Sequence, residues 1–141
     1  EMTGLSPDED AILEIALIIT DDALNVLHSG TNVVVHQPKS VLDRMSSFVE
    51  QMHTYSGLAE KVETSRVTLE QAEKAIVTIL QRHVGKHRHF LLAGNSISTD
   101  RSFIRKHLPK LEAMLHYRQI DVTTVKLLVQ SWFLNLNLSH C

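Results

Sequence analysis

Apolar residues crowd together first at residues 12–20, where Glu14 and Thr20 alone interrupt a run rich in Ile and Leu. An apolar run of that length predicts a strand buried on both faces. Asp21 and Asp22 supply turn chemistry behind it, and residues 24–27 and 32–36 read as strand material around a Ser29-Gly30 turn or bulge. The first third of the chain is therefore expected to form an antiparallel meander. Past Pro38 the period changes. Val41, Met45, Phe48, Val49 and Met52 recur at helical spacing behind Ser40 and Asp43, which resemble a capping pair. A second helix follows, with Leu69, Ala72, Ile76, Ile79 and Leu80 on one face and Thr68 with Gln71 as a capping box.

Further along, residues 90–93 predict a short strand running into the turn Gly94-Asn95-Ser96, and residues 100–107 a helix stopped by Pro109. Residues 111–115 continue helically, 120–122 suit a last short strand, and 123–129 a closing helix. Strands first, then alternating helices and strands, predict an α/β domain with a mixed sheet flanked by helices. No internal repeat, low-complexity tract or Gly/Ser-rich linker divides the chain, so one domain is expected.

Composition narrows the classes of function. The 141 residues are 43% apolar and 21% charged, enough for one hydrophobic core. The longest apolar run, Ile15-Ala16-Leu17-Ile18-Ile19, is far too short to cross a bilayer, and no basic-then-apolar leader opens the sequence, so no membrane partner is expected. The single cysteine, Cys141, forms no internal disulfide and suits a reducing compartment, the cytoplasm or a mitochondrial matrix. A formal charge of −2 argues against a protein that coats long duplex nucleic acid, where a basic surface supplies most of the affinity. A short oligonucleotide, with few phosphates to neutralise, remains compatible.

Four ordered blocks carry a resemblance. They are Glu1-Met2-Thr3-Gly4-Leu5, Ile12-Leu13-Glu14-Ile15-Ala16, Gly94-Asn95-Ser96-Ile97 with Asp100-Arg101, and His116-Tyr117-Arg118 with Asp121-Val122-Thr123-Thr124. Together they resemble the oligoribonucleases, DEDD-type 3′-to-5′ exoribonucleases of the ribonuclease-H-like superfamily, over residues 1–128, with 129–141 a divergent tail. The resemblance implies a ribonuclease-H-like mixed sheet, here without the family's first, central strand and its C-terminal helical region. It also implies short single-stranded oligoribonucleotides as substrate, two divalent ions (Mg²⁺ or Mn²⁺) and a homodimer. In such enzymes one metal lowers the pKa of the attacking water and another stabilises the leaving oxygen, and hard ions take carboxylate ligands.

Residue by residue, Glu1 matches the Glu of the family's Asp-x-Glu pair and Asp100 the Asp of its second motif, both as catalytic metal ligands. The Asp partner of Glu1 is expected before the first residue, and the third motif, with its general-base His and an Asp, is not matched; His140 lacks the sequence that would follow it. This chain by itself is therefore expected to be catalytically impaired, and a noncatalytic nucleotide-binding or dimerisation fragment is the alternative. Leu5 matches a wedge against the terminal bases, and Phe48 stands where the family commonly has a stacking Trp. His53, Ser96, Arg118 and Thr123 match residues around the terminal phosphate, where the planar fork of Arg suits phosphate oxygens. Tyr117 matches a residue that reaches into the partner's site.

Each residue also has a plainer reading. Glu1 alone is a surface carboxylate, and Asp100 a helix cap. Glu14 is better explained as a hydrogen-bonded charge or a sheet-margin residue than as a further ligand. Leu5 and Phe48 suit a core as well as a stacking role, and Phe48 falls on the apolar side of its expected helix. Arg118 and Thr123 would make an ordinary strand edge and helix cap. His83, His87 and His89 could suggest zinc, but with one cysteine and with Lys86 and Arg88 between them a solvated loop is the better reading. Leu134, Leu136 and Leu138 alternate in the tail as an aggregation-prone strip.

Overall fold

The structure, a computed structural model, describes residues 1–84 and 89–133. Lys86, His87 and Arg88, and Leu134, Leu136, Leu138, His140 and Cys141, on which the solvated-loop and apolar-strip readings fall, lie outside the described residues. The chain forms two compact units, Glu1–His83 and Val84–Cys141. No helix among the described residues is long and apolar enough to cross a membrane.

The first unit begins with a hairpin of β1 (Glu14–Thr20) and β2 (Val26–Val34), paired antiparallel. Asp21 closes it, accepting the N–H groups of Ala23 and Asn25 at one carboxylate oxygen and the Asn25 side-chain amide at the other, each at 2.9 Å. The expected irregularity at Ser29-Gly30 is a bulge: the register moves from Leu17 opposite Thr31 to Ile19 opposite His28, so β2 carries an extra residue there. β1 differs from the strand buried on both faces that its composition predicts. Ile15 and Leu17 are partly buried and Ile19 buried, while Ala16 and Thr20 are exposed and Ile18 is 65% exposed, because burial alternates along a strand whose sheet has two strands.

The expected helix after Pro38 is broken into α1 (Lys39–Leu42) and α2 (Ser47–Tyr55). Ser40 and Asp43 do not form the expected capping pair: Ser40 lies inside α1 and Asp43 ends it as the C-cap. Pro38 precedes α1 without a side-chain cap, and Ser46 caps α2 by accepting the Val49 N–H at 3.4 Å. In α2 the buried residue is His53, while Phe48 faces outward. Gly57, at φ 71°, then makes the left-handed turn into α3 (Leu58–Thr64), a conformation that costs a side-chain-bearing residue more. Leu13, Leu42, Leu58 and Val62 form the buried cluster that joins the hairpin to α1 and α3, with Val34 and Met45 packed at its margin.

The strand end and the following loop are stitched by side chains: Ser65 Oγ donates to the Val34 carbonyl at 2.7 Å, and the Gln37 amide to that of Ile12 at 3.0 Å. The capping box of α4 (Leu69–Arg82) is present as expected, Thr68 accepting the Gln71 N–H at 3.2 Å and Gln71 accepting the Thr68 N–H at 2.9 Å. Ala72, Ile76 and Leu80 are buried on its inner face.

In the second unit β3 (Phe90–Gly94) pairs parallel with β4 (Leu115–Asp121), with α5 (Ile97–His107) and α6 (Pro109–Glu112) between them and α7 (Val122–Trp132) after. Residues 111–115, expected helical, leave the helix at Glu112 and enter β4 at Leu115; β4 is longer than the three residues its apolar pattern predicts because backbone pairing to β3 carries it past polar positions. Ile97, Phe103, Leu108, Leu111 and Leu115 supply the buried apolar side chains. The α/β class is the one expected, with an antiparallel pair in one unit and a parallel pair in the other.

Thr68→Ala removes half of a reciprocal cap and should cost about 1 kcal/mol, read as a lower urea midpoint for loss of helical circular dichroism. The hydrogen bond from the Asn25 side chain, and then the backbone N–H groups of Asn25 and Ala23, hold the Asp21 carboxyl below its ordinary range, against a small opposing effect of desolvation. Because the folded value lies below the unfolded one, its contribution is present above the unfolded value and is lost as pH falls through the folded value. Acid titration of the urea midpoint should therefore show a component in wild type that is missing in Asp21→Asn.

Candidate active site

The segment that carries Glu1 runs beside β1. The terminal amine donates to the Glu14 carbonyl at 2.8 Å, the Glu1 carbonyl accepts from Leu13 N at 2.8 Å, and Met2 pairs with Ile12. The chain then turns through Gly4 and Leu5. The Asp10 carboxylate organises this turn, accepting Thr3 Oγ1 at 3.0 Å and the Ser6 N–H at 2.9 Å, while Thr3 Oγ1 accepts the Ala11 N–H at 2.9 Å. A Cβ on Gly4 would run into that carboxylate, so a side chain there would displace Asp10 from the bonds that brace the turn. Thr3 is buried and Leu5 is 79% exposed.

That exposure decides between two readings of Leu5. It is no core residue but an apolar side chain presented by a braced loop. Phe48 is 75% exposed in the first turn of α2, which removes the core reading for it as well.

His53, in the last turn of α2, is 1% exposed. Its Nε2 lies 3.0 Å from the Met2 carbonyl, which only accepts, so Nε2 carries the proton. His53 thereby ties α2 to the segment bearing Glu1. A cleft of about 240 Å³ is lined by Glu1, Glu14, Met52, His53, Ser56, Leu58 and Lys61. Glu14, set aside from the sequence as structural, shares this cleft; its one signal was a charge inside an apolar run. Lys61 gave no sequence signal at all, because an exposed Lys on a helix is ordinary.

In the second unit, Asp100 lies half-buried in the first turn of α5. Ser96, just before α5, has a left-handed backbone (φ 50°). Its N–H is shared between Asp121 Oδ1 at 3.0 Å and Thr123 Oγ1 at 2.9 Å, and its own hydroxyl is 3.2 Å from Thr123 Oγ1. Ser96 and Thr123, matched to phosphate contacts by resemblance, are thus side by side.

Tyr117 and Arg118 sit where β4 departs from its ladder. Between the pairs Phe90–Leu115 and Leu92–Gln119, β3 advances two residues and β4 four, so His116, Tyr117 and Arg118 fall in a bulge. The bulge is satisfied by side chains. Arg101, 6% exposed on α5, donates from Nη1 to the His116 carbonyl at 2.9 Å and pairs with Glu112 of α6, Nη2 to Oε1 and Nε to Oε2 both at 2.8 Å. The Arg118 N–H donates to His116 Nδ1 at 3.1 Å. Tyr117 is 75% exposed, its ring 4.5 Å from that of His116 and 5.3 Å from the Arg118 guanidinium carbon.

Glu1, Leu5, Phe48 and His53 therefore belong to one unit, and Asp100, Ser96, Tyr117, Arg118 and Thr123 to the other. No group of three or more His, Cys, Asp or Glu side chains that could hold a metal ion is gathered among the described residues. His83 bonds through Nδ1 to the Ile79 carbonyl at 2.9 Å, as a residue ending α4 would.

The exonuclease (RNase_T) family model matches residues 1–139. Oligoribonucleases of Corynebacterium glutamicum (strain R) and Ralstonia nicotianae are 45% and 46% identical to the chain over 94% of its length, covering 61% and 60% of their own. That of Chromobacterium violaceum is 45% identical over 94% of this chain and 72% of its own length. The chain belongs to the oligoribonuclease family. It spans less than two thirds of the length of the first two of these relatives, and the family, DEDD exonucleases, generally uses divalent metal ions.

Arg101→Met should cost about 1–3 kcal/mol in urea unfolding, because it removes the two 2.8 Å contacts of the half-buried Glu112 carboxylate and leaves it only Arg105 Nε at 3.5 Å. The double variant Arg101→Met with Glu112→Leu should recover most of that loss while leaving the His116 carbonyl without its donor.

Proposed function

We propose that the protein is a 3′-to-5′ exoribonuclease that degrades short oligoribonucleotides, dinucleotides above all, to mononucleotides. The observation that carries this reading is the identity to oligoribonucleases across 94% of the chain. The local geometry supports it in three ways. Leu5 and Phe48 are exposed apolar side chains fit to meet base faces. Ser96 and Thr123 pair two hydroxyls at the end of β4, the strand whose bulge carries Arg118. Tyr117 projects from the same bulge, suited to contact a second subunit of a homodimer.

Two divalent ions, Mg²⁺ or Mn²⁺, would supply activation of the attacking water and stabilisation of the leaving oxygen. Glu1 and Asp100 offer the hard oxygen donors such ions take, but they form only part of a ligand set. The described residues gather no group of three, so further carboxylates must complete it. The same observation favours a second reading, in which this chain binds a dinucleotide without cutting it.

The deciding measurement is hydrolysis of an end-labelled diribonucleotide in Mg²⁺, in Mn²⁺ and in EDTA. The chain is compared with a version extended at both ends to the length of its relatives. Metal-dependent release of mononucleotides by the extended protein is the expected result, and a folded extended protein that releases none overturns the proposal. Binding without turnover by the shorter chain supports the second reading for it. Leu5→Ala and Phe48→Ala should each weaken dinucleotide binding about tenfold, as loss of a stacking contact worth roughly 1–3 kcal/mol implies.

A further inference from the structure

Ser96 and Thr123 are brought together by a third side chain. Asp121, the last residue of β4, is paired in register with Gly94 of β3 and caps α7. One of its oxygens, Oδ1, accepts two backbone N–H groups: that of Ser96 at 3.0 Å, from the β3-to-α5 turn, and that of Thr123 at 2.9 Å, from the first turn of α7. A helix cap needs only the second. The first reaches 25 residues back along the chain, to a serine held at φ 50°, where a side-chain-bearing residue is strained.

The consequence falls on the hydroxyls. Thr123 Oγ1 accepts the same Ser96 N–H at 2.9 Å, which occupies one of its lone pairs and turns its O–H away from that backbone. With the two hydroxyl oxygens 3.2 Å apart, one O–H donates to the other, and the remaining O–H is left to donate to a ligand. An anion needs such donors, and their value depends on their being fixed before it arrives.

We infer that Asp121 is a positioning residue for recognition of the substrate's terminal phosphate, fixing the Ser96 backbone and the Thr123 hydroxyl through one carboxylate oxygen. The inference rests on the proposed function and deepens it, since neither sequence resemblance nor a capping role assigns Asp121 to substrate selection.

The test compares calorimetric binding of a 5′-phosphorylated diribonucleotide and its 5′-hydroxyl counterpart by the full chain, alongside thermal melting. Asp121→Ser keeps an N-cap acceptor for Thr123 but, one bond shorter, loses its reach to Ser96. Asp121→Asn keeps Oδ1. The expected result is that the serine variant melts close to wild type yet loses about tenfold of the preference for the phosphorylated ligand, whereas the asparagine variant retains it. Full preference in a folded Asp121→Ser protein overturns the inference and leaves Asp121 as a cap alone. Should that variant not fold, Asp121→Glu, with the carboxylate displaced by one methylene, is read the same way: preference lost supports the inference, preference kept overturns it. A wild-type chain that binds dinucleotide without favouring the phosphorylated form removes the phosphate contact from the proposed function, and Asp121's role in it. One that binds neither dinucleotide contradicts the proposed function itself.

Discussion

A backbone N–H or carbonyl that leaves regular pairing must find another partner or lose several kilocalories of hydration. Several residues assigned to recognition here, Leu5, Ser96, Tyr117 and Arg118, sit where the chain has left regular pairing and a side chain has taken over. Asp10 and Thr3 satisfy the loop that presents Leu5. His53 caps the Met2 carbonyl, Arg101 the His116 carbonyl, and Asp121 the amides of Ser96 and Thr123. The side chains that compensate for lost pairing are also the ones that fix where the ligand-facing groups point.

The two units solve this constraint with different chemistry. In the first, partners are neutral or singly charged and short: a hydroxyl, an imidazole and one carboxylate bracing a turn around Gly4. In the second, a buried guanidinium ties α5, α6 and the β4 bulge together, with Glu112 balancing its charge. An ion pair buried on the guanidinium side alone contributes little net stability, but leaving that buried guanidinium unpaired is costly. Its use is better understood as geometric, since the planar fork of Arg fixes the carbonyl at the base of the bulge from which Tyr117 and Arg118 project.

Apolar exposure follows a similar logic. Leu5, Phe48 and Tyr117 are large side chains left in solvent, Leu5 and Tyr117 where side chains brace the backbone beside them. Placing them there forgoes burial worth about 1.5–3 kcal/mol for each apolar side chain, which a contact with bases or with a second subunit would return.

What the sequence determined was mostly local. Thr68 and Gln71 name a capping box through their spacing, Asp21-Asp22 a turn, and Ser29-Gly30 an irregular strand, because each of these depends on atoms a few residues apart. The ordered blocks around Glu1, Asp100 and Asp121 likewise carried the family. Tertiary structure alone decided that the helix after Pro38 restarts at Ser46, since two competing caps a few residues apart differ by little until packing selects one. It alone put Leu5 and Phe48 outside, because periodicity gives a face but not which face is covered. And it alone joined Ser96 to Asp121 and Thr123, and Arg101 to Glu112 and His116, pairs separated by 11 to 27 residues whose meeting depends on how β3, β4 and the helices between them pack.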